Sequence, residues 1–329
     1  MGALASAEAA LTAAQDNLAQ LNRVVLRNGN STANQNALKV AKEDARIVAA
    51  QVESVIQALE PAPTPPPPEP TPEPEPTPSR RWGLWDDPGT GNMIWLSAEW
   101  DSIESQFGKL PLVHYGDGLN PSAANLKLAG SRGGVPFLDW GQSIDTTKLL
   151  TGAYDANLAA IQKAATEYGK EIIFRPLWEM NGNWYTWGQK ANYAEAWRYM
   201  RGKIPAQNLK WLWCPNYRFA SGGATDPTPY YPGDAYVDYV GADIYMENWT
   251  AHQAADLILS DLHRIAPSKQ GIIGEWGVSK SKSSNRPAVI AEFLALLPSW
   301  VVGHCYFNWN TGGAGDWRLD AAGIAAFKG

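Results

Sequence analysis

The chain contains 329 residues and carries a formal net charge of −6, with no basic run. This length exceeds that of an ordinary single domain but accommodates one large barrel with an appendage. The acidic balance makes nucleic acid and anionic membranes poor partners, and no apolar run is long enough to span a bilayer.

Cysteine and histidine usage gives no sign of a disulfide framework or a metal centre. Cys214 and Cys305 both lie in apolar, strand-like runs, which predicts two buried free thiols. The four histidines show neither an HExxH motif nor paired spacing. We therefore expect no metal and no organic cofactor.

The N-terminal part differs in composition from the rest, because all 16 Trp, 13 Tyr and 7 Phe lie at or after Trp82. Apolar and small residues alternate at spacings of three and four over 4–25 and again over 38–59, with the polar turn 28–32 between them. This heptad pattern predicts a helical hairpin over residues 1–60. Two helices bury only one narrow seam, so we expect this part to self-associate or to dock onto an assembly, with a solvated stalk as the alternative.

A linker follows over residues 61–80, beginning with PAPTPPPPEPTPEPEPTP. Proline-rich, acidic sequence of this kind adopts polyproline II structure and cannot form a core. At ~3.1 Å per residue it separates its two ends by on the order of 50 Å, so we interpret it as a spacer.

Residues 81–329 alternate strand and helix signals, which is typical of a parallel α/β architecture. The predicted strands are 82–85, 110–115, 135–140, 172–177, 209–214, 239–245, 272–275 and 301–309. Clear helical periodicity covers 156–168, 193–201, 254–265 and 288–297. Eight strands at this length predict a (β/α)₈ TIM barrel, whose active site lies at the carboxyl ends of the strands.

The fourth predicted strand ends in EIIFRPLWEMNGNWYTWG, residues 171–188. A carboxylic acid, Glu179, stands there beside the amide of Asn181 and the indoles of Trp178 and Trp184. This mixture buries poorly but suits a sugar, so we predict that Glu179 is a catalytic acid.

A second carboxylate, Glu275, ends the seventh predicted strand in GIIGEWG. Glycoside hydrolysis uses two carboxyl groups, one to protonate the leaving oxygen and one to attack or to activate water. Two glutamates at strand ends of one barrel meet this need, whereas the alternative for each is an ordinary solvated loop residue.

RPLWEMNG and GEWG, with WLWCPN and YPGDAYVDYVGADIY between them, resemble glycoside hydrolase family 26, best known for the β-mannanases of the retaining clan A. The resemblance covers residues 82–327. It implies that Glu179 is the acid/base and that Glu275 is the nucleophile. It also implies that Tyr245 hydrogen-bonds the nucleophile and that Trp309 forms the floor of the subsite for the reacting sugar. Trp178 departs from the family pattern, which has His immediately before the acid/base.

The strand-end rule and the resemblance together nominate further residues for the same cleft. We expect Arg175 to hold a site carboxylate ionised, because an adjacent cation favours the charged form. The residues predicted to contact substrate are His114, Arg175, Trp178, Asn181, Trp184, Asn216, Tyr245, Trp276 and Trp309. The other nominated strand-end residues are Tyr115, Asp117, Asp139, Trp140, Tyr217, Asp243 and Asn308.

The sequence thus predicts a retaining, endo-acting hydrolase of a neutral β-linked polysaccharide. β-Mannan is the first expected substrate, followed by β-glucan or a bacterial envelope glycan. One alternative is a glycan-binding barrel without turnover. Another is a component of a larger assembly, such as a virion or a cell-surface complex, that displays the barrel. Such a protein works outside the cell, although the start MGALASAEAALTAAQ lacks the basic and continuous apolar regions of a signal peptide.

Overall fold

The computed structural model describes residues 80–86, 97–141, 143–217, 223–246, 250–280, 285–312 and 315–328. It also describes five isolated helical residues near the N-terminus, namely Ala9, Thr12, Ala13, Lys39 and Lys42. The chain divides into two compact units, Met1–Glu75 and Pro76–Gly329. Apart from those isolated residues and Arg80, the predicted hairpin at 1–60 and linker at 61–80 lie outside the described residues and stay predictions.

The second unit alternates strands and helices along the chain. Its strands are β1 (Arg81–Asp86), β2 (Leu112–Gly116), β3 (Val135–Trp140), β4 (Ile172–Pro176), β5 (Leu209–Trp213), β6 (Tyr239–Val240), β7 (Asp243–Met246), β8 (Gln270–Val278) and β9 (Val301–Asn308). Its α-helices are α1 (Ser97–Phe107), α2 (Ala123–Ala129), α3 (Thr146–Leu150), α4 (Asp155–Tyr168), α5 (Tyr193–Lys203), α6 (Ala251–Ile258), α7 (Arg286–Leu296) and α8 (Ala321–Lys328). A π-helical turn, Leu259–His263, follows α6.

These strands form one closed parallel barrel, so the predicted (β/α)₈ fold is confirmed. β1 pairs with both β2 and β9, and β6 pairs with both β5 and β8. The short segments β6 and β7 lie end to end and together make the sixth barrel strand. Closure leaves every strand with two neighbours, and it brings the carboxyl ends of all eight strands to one rim.

Most strands match their predicted bounds to within two residues, and two strands differ more. The sixth is interrupted between β6 and β7 at Gly241, where a Cβ atom would lie 2.0 Å from the carbonyl oxygen of Ile272 on β8. The seventh, β8, continues three residues beyond Glu275 to Val278 instead of ending at Glu275. The glutamate therefore lies within a strand, and its orientation depends on the local pairing of that strand.

The core has two parts, because side chains along a barrel strand point alternately into the barrel and out toward the helices. A small apolar cluster inside the barrel contains Leu112, Phe137, Ile173, Leu212, Cys214, Ile272 and Cys305. A much larger cluster packs the outer faces of the strands against the helices. Cys214 and Cys305 are buried free thiols, as the sequence predicted.

Local signals fix several helix ends. The side chains of Ser122 and Asp145 accept backbone N–H groups at the starts of α2 and α3, which satisfies donors that lack a partner within the helix. Gly169 ends α4 in a left-handed conformation with φ of 73°, which favours glycine. Within the described part of the chain, no helix has the length and apolar character needed to cross a membrane.

Candidate active site

The turn after β4 carries Glu179 into the barrel mouth. Leu177 and Glu179 both adopt positive φ angles, 48° and 53°, which are uncommon for residues with a Cβ atom. Their N–H groups donate to the carbonyl oxygens of Trp140 and Cys214, each at 2.8 Å, and so continue the pairing with β3 and β5. Strained backbone held in this way is typical of functional sites.

A bulge in β8 directs Glu275 into the cleft. Between Ile273 and Trp276 the strand holds one residue more than the paired segment of β9. Gly274 faces the interior, because a Cβ atom there would lie 2.6 Å from both Asp243 Oδ1 and Cys214 Sγ. The extra residue keeps Glu275 on the inner side and turns Trp276 outward, since a bulge re-aims the side chains that follow it.

Arg175 is the centre of the buried polar cluster beneath the cleft and is fully inaccessible to solvent. Its Nε and Nη2 atoms donate to the two oxygens of Asp139 at 2.6 and 2.5 Å. Its Nη1 donates to Asp243 Oδ1 at 2.7 Å, and its Nη2 donates to Glu275 Oε1 at 2.5 Å. One guanidinium therefore joins three carboxyl groups from three different strands.

Burial and charge set the protonation of this cluster. Burial by itself would raise the pKa of Asp139, but Arg175 and His114 outweigh it and hold that pKa below its ordinary value. Burial raises the pKa of Asp243 well above its ordinary value, and the neighbouring glutamates Glu275 and Glu179 add to the effect although Arg175 opposes it. Asp243 accepts from Nη1 of Arg175 at 2.7 Å and also from the Cys214 thiol at 3.2 Å.

His114, Asp139 and Glu275 bring three ligand-type atoms within 4.8 Å of one another, a spacing that suits a metal ion. Nη2 of Arg175 lies 2.5 Å from Asp139 Oδ2, 2.5 Å from Glu275 Oε1 and 3.3 Å from His114 Nε2. The guanidinium nitrogen therefore takes the place that a metal cation would need, and this donor set does not fit a metal ion.

Glu179 is buried and accepts hydrogen bonds from two neutral side chains. Its Oε1 accepts a hydrogen bond from Asn216 Nδ2 at 2.6 Å, and its Oε2 accepts one from Trp184 Nε1 at 2.6 Å. Burial, and then the charge of Glu275, raise the pKa of Glu179 from its ordinary 4.5 to about 7, although both hydrogen bonds and Arg175 act to lower it. A carboxyl group with this pKa holds a proton near neutral pH.

Glu275 has the opposite surroundings. The Arg175 guanidinium donates to its Oε1, and the Tyr245 hydroxyl donates to its Oε2. Both contacts are of the kind made to an ionised carboxylate. The two glutamates of the cleft are thus placed in environments that separate their roles.

The cleft has a volume of about 460 Å³ and walls rich in aromatic rings. Its lining residues are Trp85, Asp139, Trp178, Glu179, Trp184, Tyr185, Asn216, Tyr245, Glu275, Phe307, Trp309, Thr311 and Trp317. Flat apolar faces next to a few polar groups suit the faces and hydroxyls of pyranose rings.

Seven of the predicted catalytic and substrate-contacting residues line this cleft, namely Glu179, Glu275, Trp178, Trp184, Asn216, Tyr245 and Trp309. His114 and Arg175 lie beneath it with no exposed surface, so they bear on substrate only through the carboxylates that they contact. Asn181 is also buried, and its Nδ2 donates to the carbonyl oxygens of Asn216 and Thr225 at 2.8 and 2.9 Å. It fixes loops and does not line the cleft.

Trp276, which was predicted to contact substrate, lies away from the cleft. It has no exposed surface and packs between the sheet and the helices against Phe293, Tyr306 and Phe327. Its Nε1 donates to Nδ1 of His304 at 3.2 Å. Adjacent strand residues face opposite sides, so a cleft-facing Glu275 requires an outward Trp276.

Some of the remaining strand-end candidates lie at or beneath the cleft, and others lie in the outer core or at the start of a helix. Asp139 lines the cleft, and Asp243 lies beneath it in contact with Arg175. Tyr115 and Trp140 belong to the outer core, because their strand positions face the helices. The Asp117 carboxylate binds the Ser122 N–H and the Asn125 side chain at the start of α2 and is not among the cleft-lining residues.

Five cleft residues were not nominated from sequence, namely Trp85, Tyr185, Phe307, Thr311 and Trp317. The strand-end rule would have found Trp85 and Phe307, which stand one residue before the ends of β1 and β9. Trp317 gave no local signal. The buried guanidinium of Arg286 holds its segment by donating to the carbonyl oxygens of Trp317 and Arg318 at 2.6 and 2.8 Å.

A (β/α)₈ barrel whose strand ends bring two glutamates into one aromatic cleft has the architecture of the glycoside hydrolase class. The profile of glycosyl hydrolase family 26 matches residues 137–282, which include both glutamates. Residues 137–282 therefore match glycosyl hydrolase family 26, and the resemblance seen in the motifs is confirmed over this part of the chain.

Two curated relatives show where the similarity extends. Endoglucanase H of Acetivibrio thermocellus is 26% identical over 224 residues, which is 60% of this chain and 24% of that protein. A mannan endo-1,4-beta-mannosidase of Bacillus subtilis is 33% identical over 123 residues, a third of each chain. The chain thus spans between a quarter and a third of the length of these relatives.

The fold is shared with solved structures of the same family. The family 26 domain of an endo-beta-mannanase/endo-beta-glucanase from Prevotella bryantii superposes with a TM-score of 0.58 at 17% identity. That match covers 76% of this chain and 88% of the other. At this level of identity the similarity establishes the barrel and leaves the chemistry to the residues of the cleft.

Proposed function

We propose that the barrel is a retaining, endo-acting glycoside hydrolase of a neutral β-linked polysaccharide. The observation that carries this proposal is the pair of glutamates in one cleft with opposite surroundings. Glu179 has a pKa raised to about 7, whereas Glu275 accepts hydrogen bonds from a guanidinium and a tyrosine hydroxyl. This contrast supports one proton donor and one carboxylate nucleophile.

In the first step, the Glu275 carboxylate attacks the anomeric carbon and forms a glycosyl ester as the bond to the glycosidic oxygen breaks. That oxygen takes the proton of Glu179 and leaves as a sugar hydroxyl. In the second step, the Glu179 carboxylate removes a proton from water, and the water oxygen attacks the same carbon. Glu275 is released as a carboxylate, Glu179 is again protonated, and the configuration is retained.

Each surrounding residue has a defined part in this scheme. Arg175 and Tyr245 hold the two oxygens of Glu275 and so orient it for attack. Asn216 holds one oxygen of Glu179. Trp178 lies over the Arg175 guanidinium, with 5.3 Å between the Arg175 Cζ atom and the ring centroid, and separates that cation from the cleft.

β-Mannan is the first proposed substrate and β-glucan the second, with a bacterial envelope glycan after them. The relatives are named for activity on mannan and as an endoglucanase, which supports the first two. The aromatic walls of the cleft favour a neutral polymer, because sugar rings stack on indole and phenol faces while a polyanion needs bases. Trp178 lines the cleft next to Glu179, at the position where the family pattern has His, so its contacts with the sugar bear on which polymer is cut.

Reducing-sugar release from β-mannans, mixed-linkage β-glucans, xylans and envelope polysaccharides tests this proposal. We expect one polymer to be cut by the wild type. Glu275→Ala should lose several orders of magnitude in rate through loss of the nucleophile, and Glu179→Ala about 10²–10⁴-fold on natural leaving groups. Glu171→Ala, at a partly exposed glutamate that pairs with Arg81, serves as the control and should retain activity. A polymer that binds without being cut would replace the hydrolase proposal with a glycan-binding barrel.

We further propose that residues 1–60 self-associate or dock the protein onto a larger extracellular assembly, such as a virion or a cell surface. The heptad spacing supports this proposal, because sustained heptads indicate a helix-to-helix contact. Light scattering on the full chain should give a mass above that of a monomer, and Leu11→Asn with Leu18→Asn should lower it. A wild-type monomer at micromolar concentration would contradict self-association.

A further inference from the structure

Both carboxyl oxygens of Glu179 already accept an N–H group in the structure. The two donors differ in how firmly they are held. Asn216 is buried, its own N–H donates to the Asn181 side chain at 2.9 Å, and its carbonyl oxygen accepts from Asn181 at 2.8 Å. Trp184 is 42% exposed, and its described hydrogen bond is the one to Glu179. Asn216 is therefore a fixed donor, and Trp184 is the donor that can move.

The length of the Trp184 contact shows which form of the acid it favours. The Nε1 to Oε2 distance of 2.6 Å is short for an N–H donor and matches a bond to an ionised oxygen. The first step of hydrolysis needs a proton on one oxygen of Glu179, pointing at the glycosidic oxygen. Because Oε1 is tied to the fixed Asn216, Oε2 is the oxygen that delivers the proton, and the resting Trp184 contact opposes its protonation.

Two glycines hold the indole in this resting position. A Cβ atom on Gly182 would lie 2.3 Å from the Trp184 ring, and one on Gly223 would lie 3.3 Å from it. The ring thus packs over glycine backbone in a slot that a single methyl group would fill. The local sequence sets the resting contact and also leaves the exposed side of the ring free for a sugar.

We propose that Trp184 is a positioning residue that substrate displaces from Oε2 of Glu179, so that the acid becomes fully protonated only when a glycosidic bond is in place. This inference rests on the proposed hydrolase function and adds the control of its acid. When substrate enters, the N–H that favours the ionised form leaves. After the leaving group departs, the returning indole N–H stabilises the Glu179 carboxylate, which then serves as the base for water.

The other groups that face Glu179 do not substitute for this control. Glu275 and Asp243 are carboxyl groups on β8 and β7, and Asp139 lies on β3, the strand that pairs with β4. Arg175 is the one cation that acts on Glu179 among the described residues, and it is committed to those three carboxyl groups. Tyr185 and Tyr245 stay neutral because burial raises the pKa of each well above its ordinary value.

The pH dependence of activity tests the proposal, because kcat/KM reports the free enzyme and kcat reports the substrate complex. In the wild type, the alkaline limb of kcat should lie at higher pH than that of kcat/KM. In Trp184→Phe, which removes the N–H and keeps a ring, the limb of kcat/KM should rise by about one pH unit and meet that of kcat. Gly182→Ala, which pushes the indole out of its slot, should give the same shift.

Trp309→Phe is the matched control, since it makes the same change to an indole of the cleft whose described ring contact is to Phe307. In this variant the alkaline limb of kcat/KM should lie at the same pH as in the wild type. The proposal would be overturned if the alkaline limbs of kcat and kcat/KM coincided in the wild type. It would also be overturned if the alkaline limb of kcat/KM lay no higher in Trp184→Phe than in Trp309→Phe.

A second readout separates this inference from the proposed function. Carbon-13 NMR of the Glu179 carboxyl group, titrated without substrate in the full chain, should show a pKa higher in Trp184→Phe than in wild type by about one pH unit. This shift requires no turnover. If no polymer is hydrolysed, the proposed function is wrong. If the enzyme is active but the pKa of Glu179 is the same in Trp184→Phe as in the wild type, only the proposed role of Trp184 is wrong.

Discussion

Replacement of Glu179 by glutamine should change how the stability of the barrel depends on pH. In the folded protein, the pKa of Glu179 is raised from its ordinary 4.5 to about 7, mainly by burial and then by Glu275. Between these two values the unfolded chain has lost the proton and the folded chain still holds it. The folded state binds more protons there, so this residue makes the free energy of unfolding fall as pH rises.

The size of this change in the free energy of unfolding follows from the difference between the two pKa values of Glu179. Each pH unit between the two pKa values is worth ~1.4 kcal/mol, which gives ~3 kcal/mol in all. The stability that protonated Glu179 contributes is fully present below pH 4.5 and is lost as pH rises to 7. Glutamine does not titrate, so the difference in stability between Glu179→Gln and the wild type should move by ~3 kcal/mol in favour of the variant across this window.

Urea unfolding followed by tryptophan fluorescence provides the assay. All 16 tryptophans lie at or after Trp82, so the signal comes from the barrel and not from residues 1–60. Glu167→Gln, at a half-exposed glutamate on α4 paired with Lys163, controls for the chemical change. The pH-independent effect of new amide contacts cancels, because the prediction concerns the change with pH. A difference between Glu179→Gln and wild type that stays constant from pH 4 to 8 would refute the reasoning.

Four further substitutions separate the parts of the site. Tyr245→Phe removes a donor to Glu275 and should lower kcat/KM about 10–100-fold with an unchanged circular dichroism spectrum; an unchanged kcat/KM would contradict this role. Arg175→Met leaves three buried carboxyl groups without their cation and should lower the free energy of unfolding by about 3–5 kcal/mol, measured by urea titration; wild-type stability would count against the cluster. Trp276→Ala should cost about 3–5 kcal/mol in stability and leave KM unchanged, because the indole packs in the outer core. Trp309→Ala should instead raise KM and cost less than about 1 kcal/mol, and a reversal of this pattern would show that the two indoles are wrongly placed.

Much of the barrel could be predicted because its signals are local. Short apolar runs such as 135–140 and 172–177 are recognisable as strands, and parallel strands with intervening helices leave few topologies. The carboxyl-end rule then places Glu179 and Glu275 at one rim without further information. These steps need only the spacing of apolar residues and the position of the glutamates relative to it.

The failures come from features that the sequence does not encode locally. A bulge in β8 decides that Glu275 faces the cleft and Trp276 the helices, and it depends on pairing with β9, about thirty residues further along the chain. Asn181 was misplaced because its amide is satisfied by the backbone of Asn216 and Thr225, which only the folded chain brings near. Trp317 reaches the cleft from beyond β9 for the same reason. Site residues that depend on long-range contacts require the structure.

The stereochemistry of the first product tests the central claim most directly. Proton NMR of a β-linked oligosaccharide during hydrolysis by the full chain shows which anomer forms before mutarotation. Attack by Glu275 followed by water from the same face predicts the β-anomer as the first product. The α-anomer as first product would mean a single displacement by water, with Glu275 as a base, and would contradict the double-displacement mechanism.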